Sequence, residues 1–199
     1  MSKHPFDEYV ERLNKVLEGV GRAELDRTAD ALMACHSSNG AIYIIGNGGS
    51  ASTATHMACD LSKGPTPKGG QGLVVWSLTD NPALLTAIGN DLSYDLIFSE
   101  VVRQRMKSQD ILIAISASGN SPNILDAVKT AQKIGCTTIG MTGFSGGLLA
   151  KECDIVLHAD GQAYGPVEDV HLICNHYLVE ALKIRLSDFA SKQPQEQVF

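Results

Sequence analysis

The sequence has no apolar run approaching the ~20 residues that a membrane-spanning helix needs. Its opening, MSKHPFDEYV, lacks the apolar core of a secretory leader. Its five cysteines, Cys35, Cys59, Cys136, Cys153 and Cys174, are odd in number, scattered and never spaced CxxC. They read as reduced thiols of a cytoplasmic protein. Basic charge is scarce: 16 Lys and Arg stand against 22 Asp and Glu, a net charge of −6. No basic face is left for nucleic acid or anionic lipid, although a local pocket for a small phosphate is compatible with that balance. No internal repeat or low-complexity segment occurs, and no G-x-x-x-x-G-K-[ST] motif supports nucleoside triphosphate hydrolysis.

What is present is ordinary for a globular domain. The 199 residues, 44% hydrophobic and 19% charged, suit one domain with a substantial core. In FDEYVERLNKVLEGV, Phe6, Val10, Leu13, Val16 and Leu17 recur at helical spacing, and Leu25, Ala29, Leu32 and Met33 repeat the pattern. Such an amphipathic pair covers a sheet or packs on another subunit. The period then changes. AIYII (41–45), GLVVWSL (72–78), DILIAIS (110–116), TTIGMT (137–142) and DIVLHA (154–159) are short, apolar and rich in β-formers. Runs of this kind predict strands buried on both faces, hence a parallel sheet between helices. Helical stretches separate them at 50–61, 81–88, 96–106, 122–134 and, weakly, 147–151, and a last helix spans about 166–186, with Pro166 suited to its first turn. The expected fold is α/β: a single doubly wound domain with a five-stranded parallel sheet flanked by helices. It divides into N-terminal helices (1–38), an α/β core with the last helix (39–189) and a flexible polar tail (190–199). Ligands of such folds bind at the carboxyl ends of the strands, so the turns there bear the closest reading.

The first of these turns lies in IIGNGGSASTATHMACD, Ile44 to Asp60. Gly46, Gly48 and Ala51 imitate a loose dinucleotide fingerprint. That reading needs an acid about 20 positions on, after the second strand. The first candidate, Asp80, is more than thirty residues past Gly46, and KGPTPKGGQG between them fits a tight βαβ unit poorly. What remains is a turn whose glycines let the backbone approach a ligand and whose helix offers free N–H groups and a positive dipole end. A plain turn in which Ser50 only caps the helix explains it equally well. The third strand leads into a second turn, AISASGNSPNI, where Ser116, Ser118, Asn120 and Ser121 crowd six residues around Gly119. Ser121 reads as a helix N-cap with Pro122 at the first helical position. Three hydroxyls and free amides at a helix start make a neutral phosphate cradle. A polar loop that only caps its own helix is the alternative, weakened by a second glycine–serine turn at the same sheet edge.

GNGGSA and SASGNS together strongly resemble the sugar isomerase (SIS) family, with SASGNS in the place of its phosphate-binding serine loop. The resemblance covers nearly the whole chain and is strongest to the phosphoheptose isomerase branch. It continues through GND (89–91), TGFSGG (142–147) and EDVHLICNH (168–176). It implies an aldose–ketose isomerase that interconverts sedoheptulose 7-phosphate and D-glycero-D-manno-heptose 7-phosphate, and a homotetramer with active sites at subunit contacts. It also implies that Ser50, Ser116, Ala117, Ser118 and Ser121 hold the phosphate, that Asn47, Gly48 and Gly49 line the sugar site, and that Asn90 and Asp91 bind sugar hydroxyls. The replication-initiator-associating proteins share the pattern, so a phosphosugar-sensing or protein-binding module without turnover is the rival reading. There the last-helix histidine tends to be lost, whereas His176 is present here.

His56 and Asp60 lie four apart on a predicted helix and share a face. Glu168 and His176 lie eight apart on the last helix, about two turns. Two histidines and two carboxylates suit a divalent metal, with zinc the leading candidate. A solvated helical ion pair is the plain alternative for His56 and Asp60, and acids opposing the helix dipole for Glu168 and Asp169. The resemblance assigns His56, Asp60, Glu168 and His176 to the metal, Asp60 and His176 to proton transfer, and Glu168 to the substrate as well. Two positions depart from the branch: Asp60 stands where Glu is common, one methylene shorter, and Glu168 where Gln is common. His171 is left secondary or structural, and His4, His36 and His158 are read as surface or loop-edge residues. Lys63 and Lys68 of KGPTPKGGQG, a loop expected near the site entrance, are candidate phosphate contacts or simply solvated. No nucleotide cofactor is expected.

Overall fold

The computed structural model describes residues 3–66 and 70–192. Lys68 and residues 193–199 of the expected tail lie outside the described residues. Two antiparallel-capable helices, α1 (Pro5–Glu18) and α2 (Arg22–Ser37), precede the sheet. His4 ends the first of them as its N-cap, its Nδ1 accepting the Phe6 N–H at 3.2 Å. β1 (Ala41–Gly46), α3 (Gly49–Lys63), β2 (Val74–Ser77), α4 (Pro82–Asp91), α5 (Ser99–Arg105) and β3 (Ile111–Ser116) follow. The chain closes with α6 (Pro122–Ile134), β4 (Thr137–Gly143), α7 (Leu149–Glu152), β5 (Ile155–Ala159) and α8 (Tyr164–Lys192). The five strands form one parallel sheet in the order β2-β1-β3-β4-β5. The fold class expected from the sequence is therefore the one observed.

Alternation along each strand divides the core in two. Ile42, Ile44, Ile113, Ile115, Ile139 and Met141 pack beneath α1, α2, α3 and α8. Tyr43, Ile45, Leu112 and Ala114 face α5 and α6 on the other side. β3 is the central strand, and every residue of ILIAIS is buried. β2 departs from the expectation of burial on both faces. It is an edge strand in which Val75 and Ser77 are buried while Val74 and Trp76 stand exposed. An edge strand meets a neighbour on one side only, so covering its outer face is not obligatory.

Two strands begin with a device that apolar patterning does not reveal. Asp110, just before β3, accepts the backbone N–H groups of Ala41 (2.8 Å) and Lys107 (2.7 Å). Asp154, just before β5, accepts the N–H and hydroxyl of Thr138 at 2.8 and 2.7 Å. Both acids were expected as strand residues. Instead each staples a strand start to its neighbour by charge-assisted hydrogen bonds. α8 runs through Lys192, past the expected end at Leu186, and so takes in the first residues assigned to the tail. It is a cross-member: Tyr9 of α1 donates to Asp169, and Arg185 pairs with Asp26 and Asp30 of α2.

Candidate functional site

The strand order reverses between β1 and β3: the chain winds from β1 outward to β2, then returns to β3 and winds the other way. Ligands of doubly wound sheets sit in the crevice at such a point. Here α3 leaves β1 on one face and α6 leaves β3 on the other, and their first turns flank a cavity of about 170 Å³. Asn47, Ser50, Ser116, Ala117, Ser118, Ser121, Tyr164 and Glu168 line it with Ile115. That volume suits a phosphate group rather than a whole sugar. The first N–H groups of each helix lack partners within the helix and carry its positive end.

The Ser121 hydroxyl is left for a ligand in a way the sequence did not suggest, whereas those of Ser116 and Ser118 accept the Gly119 and Asn120 N–H groups at 3.2 and 3.4 Å. Ser121 occupies the N-cap position of α6, but its side chain makes no capping bond and lies 3.5 Å from the Ser116 hydroxyl. Asn123, inside the first turn, accepts the Ile124 N–H on its Oδ1 at 3.0 Å. In the first turn Gly48 is the N-cap of α3, with φ +55° and ψ −122°, a conformation open to glycine. Ser50, in the first turn of that helix, is buried and makes no side-chain cap.

Two arrangements hold the pocket's walls. Asn47 and Asn123 exchange amide hydrogen bonds, each 2.9 Å, and so clasp the β1 and β3 turns together. Tyr94 also donates to Asn47 Oδ1 at 3.1 Å. The serine loop rests on the loop after β4. Gly143 N–H donates to the Ala117 carbonyl (2.9 Å), Leu149 N–H to that of Gly119 (2.9 Å), and Leu148 N–H to Asn120 Oδ1 (3.1 Å). A Cβ at Gly119, where φ is +65°, would fall 2.0 Å from the Gly146 carbonyl oxygen. The glycines of TGFSGG thus serve close backbone packing.

Tyr164, which lines the pocket, and Asn123 and Tyr94, which hold its Asn47 wall, are residues that sequence reasoning missed. Asn123 alone had a signal, standing two residues beyond the last serine of SASGNS. Asn90 and Asp91 do not line the pocket. They end α4 in solvent, with the Asn90 amide donating to Asp91 at 2.9 Å.

A second centre lies along the seam of α3 and α8. The two helices run side by side, with Gly49 against Glu168, His56 and Asp60 against Asn175 and His176, and Gly64 against Val179. His56 Nε2 is 3.1 Å from Asp60 Oδ2, His176 Nε2 is 3.5 Å from that same oxygen, and the two imidazole nitrogens are 3.5 Å apart. Donors bound about 2.0–2.1 Å from a tetrahedral ion stand about 3.3–3.4 Å from one another. The three atoms therefore fit a divalent metal, with a fourth position left for water or substrate. Both imidazoles are about half exposed, and His176 and Asp60 line an open groove of roughly 500 Å³ beside Lys63 and Glu180.

Glu168 is not among them. Eight residues along a helix is about 12 Å, and its carboxylate sits at the pocket, next to Gly49. His171 is a buried interior residue whose Nε2 is 3.0 Å from the Thr142 carbonyl, and burial pushes its pKa down. His158 is no loop-edge residue: it belongs to β5, with Nδ1 3.0 Å from the Thr142 hydroxyl. His36, part-buried on α2, meets Phe189 edge-on. Lys63 ends α3 beside the open groove, away from the serines.

The family model described as "SIS domain" matches residues 6–143. A probable phosphoheptose isomerase of Thermoplasma acidophilum is 37% identical, covering 82% of this chain and 93% of the relative. The phosphoheptose isomerase of Aliarcobacter butzleri is 35% identical, covering 92% and 95%. Among solved structures, phosphoheptose isomerase GmhA from Neisseria gonorrhoeae superposes with a TM-score of 0.82 at 30% identity, covering 90% of this chain and 95% of that one.

Proposed function

The chain belongs to the SIS domain family, among its phosphoheptose isomerases, and on that premise we propose that it interconverts sedoheptulose 7-phosphate and D-glycero-D-manno-heptose 7-phosphate. One observation carries the choice of substrate length. The serine pocket lies between the first turns of α3 and α6 with Glu168 of α8 in its wall, and the His–Asp–His cluster lies six to ten residues beyond Ser50 on α3 and eight beyond Glu168 on α8, about 9–15 Å at helical rise. At ordinary C–C bond lengths, a seven-carbon chain with a terminal phosphate extends about 10 Å. Phosphate in the pocket brings C1 and C2 to the cluster.

In this reading Ser50, Ser116, Ser118 and Ser121 and the helix N-termini bind the phosphate, with the Ala117 backbone between them. Asn47, Gly48 and Gly49 line the path of the sugar, and Glu168 meets its hydroxyls. Asn90 and Asp91, outside the pocket in this chain, would reach a sugar only across a subunit contact. Asp60 takes the proton from C1 of the ketose and His176 protonates the C2 oxygen, giving the enediol. The proton returned to C2 and the loss of one from the C1 oxygen complete the aldose. His56, Asp60 and His176 would hold the metal, most suitably zinc, which supplies Lewis-acid stabilisation of negative charge on the sugar oxygens. Glu168 joins such a set only if a neighbouring subunit brings it there. A homotetramer is part of this proposal, supported by exposed Val74, Trp76 and Ile184. So is a cytoplasmic location, supported by free cysteines; among the described residues no helix is long and apolar enough to cross a membrane.

The presence of His176 beside His56 and Asp60 favours turnover over a sensing module. The deciding experiment is an isomerase assay of the purified protein with sedoheptulose 7-phosphate, with metal analysis of the same sample. Aldose formation with stoichiometric metal is expected. Neither metal nor turnover would overturn the reading in favour of a sensing module, and tight metal without turnover would redirect it to another sugar phosphate.

A further inference from the structure

α8 brings a second residue to the cluster. Asn175, adjacent to His176, is fully buried, and its Nδ2 donates to Asp60 Oδ2 at 2.8 Å. That is the oxygen facing both histidines. A carboxylate only accepts, so the amide nitrogen must face Asp60 and Asn175 Oδ1 must face elsewhere. Oδ1 is buried without a partner among the described residues, and so is His171 Nδ1. The two residues are four apart on α8, one above the other on a single face. His171 Nε2 lies against the Thr142 carbonyl, which also only accepts. The ring proton therefore sits on Nε2, and Nδ1 is an acceptor. Two buried acceptors one helical turn apart are matched by one water, which has two hydrogens to give.

We propose that Asn175 is a positioning residue for Asp60: its amide fixes Oδ2 between the two histidines and is itself braced, through one buried water shared with His171, to the end of β4. The kinetic part of this proposal rests on the isomerase reading, and the metal part only on the donor triad. The need for such a brace is physical. Asp60 is part-exposed between two half-exposed imidazoles, and among the described residues no further side chain hydrogen-bonds its carboxylate. A misplacement of about 1 Å in a reacting group can cost about a hundredfold in rate. Partners of metal ligands are worth about 10–100-fold in affinity or activity.

The test compares the full-length protein with Asn175→Leu, which removes the amide at similar volume, and with Asn175→Ala. Zinc affinity is read by chelator competition, the site by the visible spectrum of the cobalt(II) form, and kinetics with sedoheptulose 7-phosphate. Folded variants should bind zinc about 10–100-fold more weakly, with a changed cobalt spectrum. Their kcat should fall by a similar factor while KM stays within about twofold, because the phosphate pocket lies two helical turns away. Should both variants fail to fold, the side-chain amide resonances of Asn175 in the otherwise unaltered chain decide the matter: Asp60→Asn should shift them. Folded variants with unchanged zinc affinity and kcat, or resonances indifferent to Asp60→Asn, overturn the positioning role. A high-resolution crystal structure without water between His171 Nδ1 and Asn175 Oδ1 overturns the brace. If the unaltered protein binds metal but does not turn over the heptose phosphate, the isomerase reading fails and zinc affinity alone judges Asn175.

Discussion

The serine pocket and the His–Asp–His cluster share two helices but are built in opposite ways. The pocket is made of backbone: two helix starts, glycines in conformations closed to other residues, and an amide clasp between Asn47 and Asn123. Ser50 and Ser116 are each only 6% exposed. The cluster is made of side chains projecting from the middle of helices, with its imidazoles about half open to solvent. A non-reacting phosphate needs a fixed socket, and binding it well helps to place the reacting end of the sugar. Proton exchange needs groups that reach solvent and move between protonation states. Rigidity belongs to the first region and access to the second.

Substitutions should separate the two. Asp60→Asn keeps the shape of the cluster while removing its base. It should lower kcat by about 10²–10⁴-fold with the melting temperature little changed; turnover equal to the unaltered protein would strip Asp60 of its role. Ser121→Ala tests the socket, because this hydroxyl caps nothing. The loss of one hydrogen bond to a charged phosphate should raise KM about 10–100-fold and leave kcat within a small factor. A kcat effect instead would mean the two regions are not separable. Gly119→Ala attacks the scaffold beneath the serines. A non-glycine residue at positive φ costs about 1–3 kcal/mol, before the clash with Gly146. The melting temperature should fall by roughly 5–10 °C, read by calorimetry, while zinc binding by any folded fraction persists. Loss of zinc binding in step with the melting shift would show that socket and cluster form one cooperative unit.

Much of the fold was legible because buried parallel strands declare themselves by continuous apolar runs; ILIAIS and PNILDAVKTAQKI fall almost where they were expected. Asp110 and Asp154 were misplaced by one residue, since their work is long-range hydrogen bonding and leaves no periodic trace. The exposed face of β2 was hidden for a related reason: position in the sheet, not composition, leaves an edge strand open. The serines were legible as a motif, whereas Asn123 and Tyr94 reach the pocket's Asn47 wall only through tertiary contacts. The pairing of His56 and Asp60 followed from helical spacing. Its completion by His176 depends on the register between α3 and α8, and the same register carries Glu168 to the other centre.

One close approach in that seam has a historical consequence. A methyl group at position 49 would lie 2.8 Å from both carboxylate oxygens of Glu168. Those oxygens end a flexible side chain, so an alanine there would swing the acid out of the pocket more readily than it would disrupt the helices. Positions 49 and 168 are therefore coupled in the order in which they can change. While the acid is in use, only glycine is accepted opposite it. Once the acid is lost or shortened, the constraint on position 49 relaxes, and related chains should record that sequence of events.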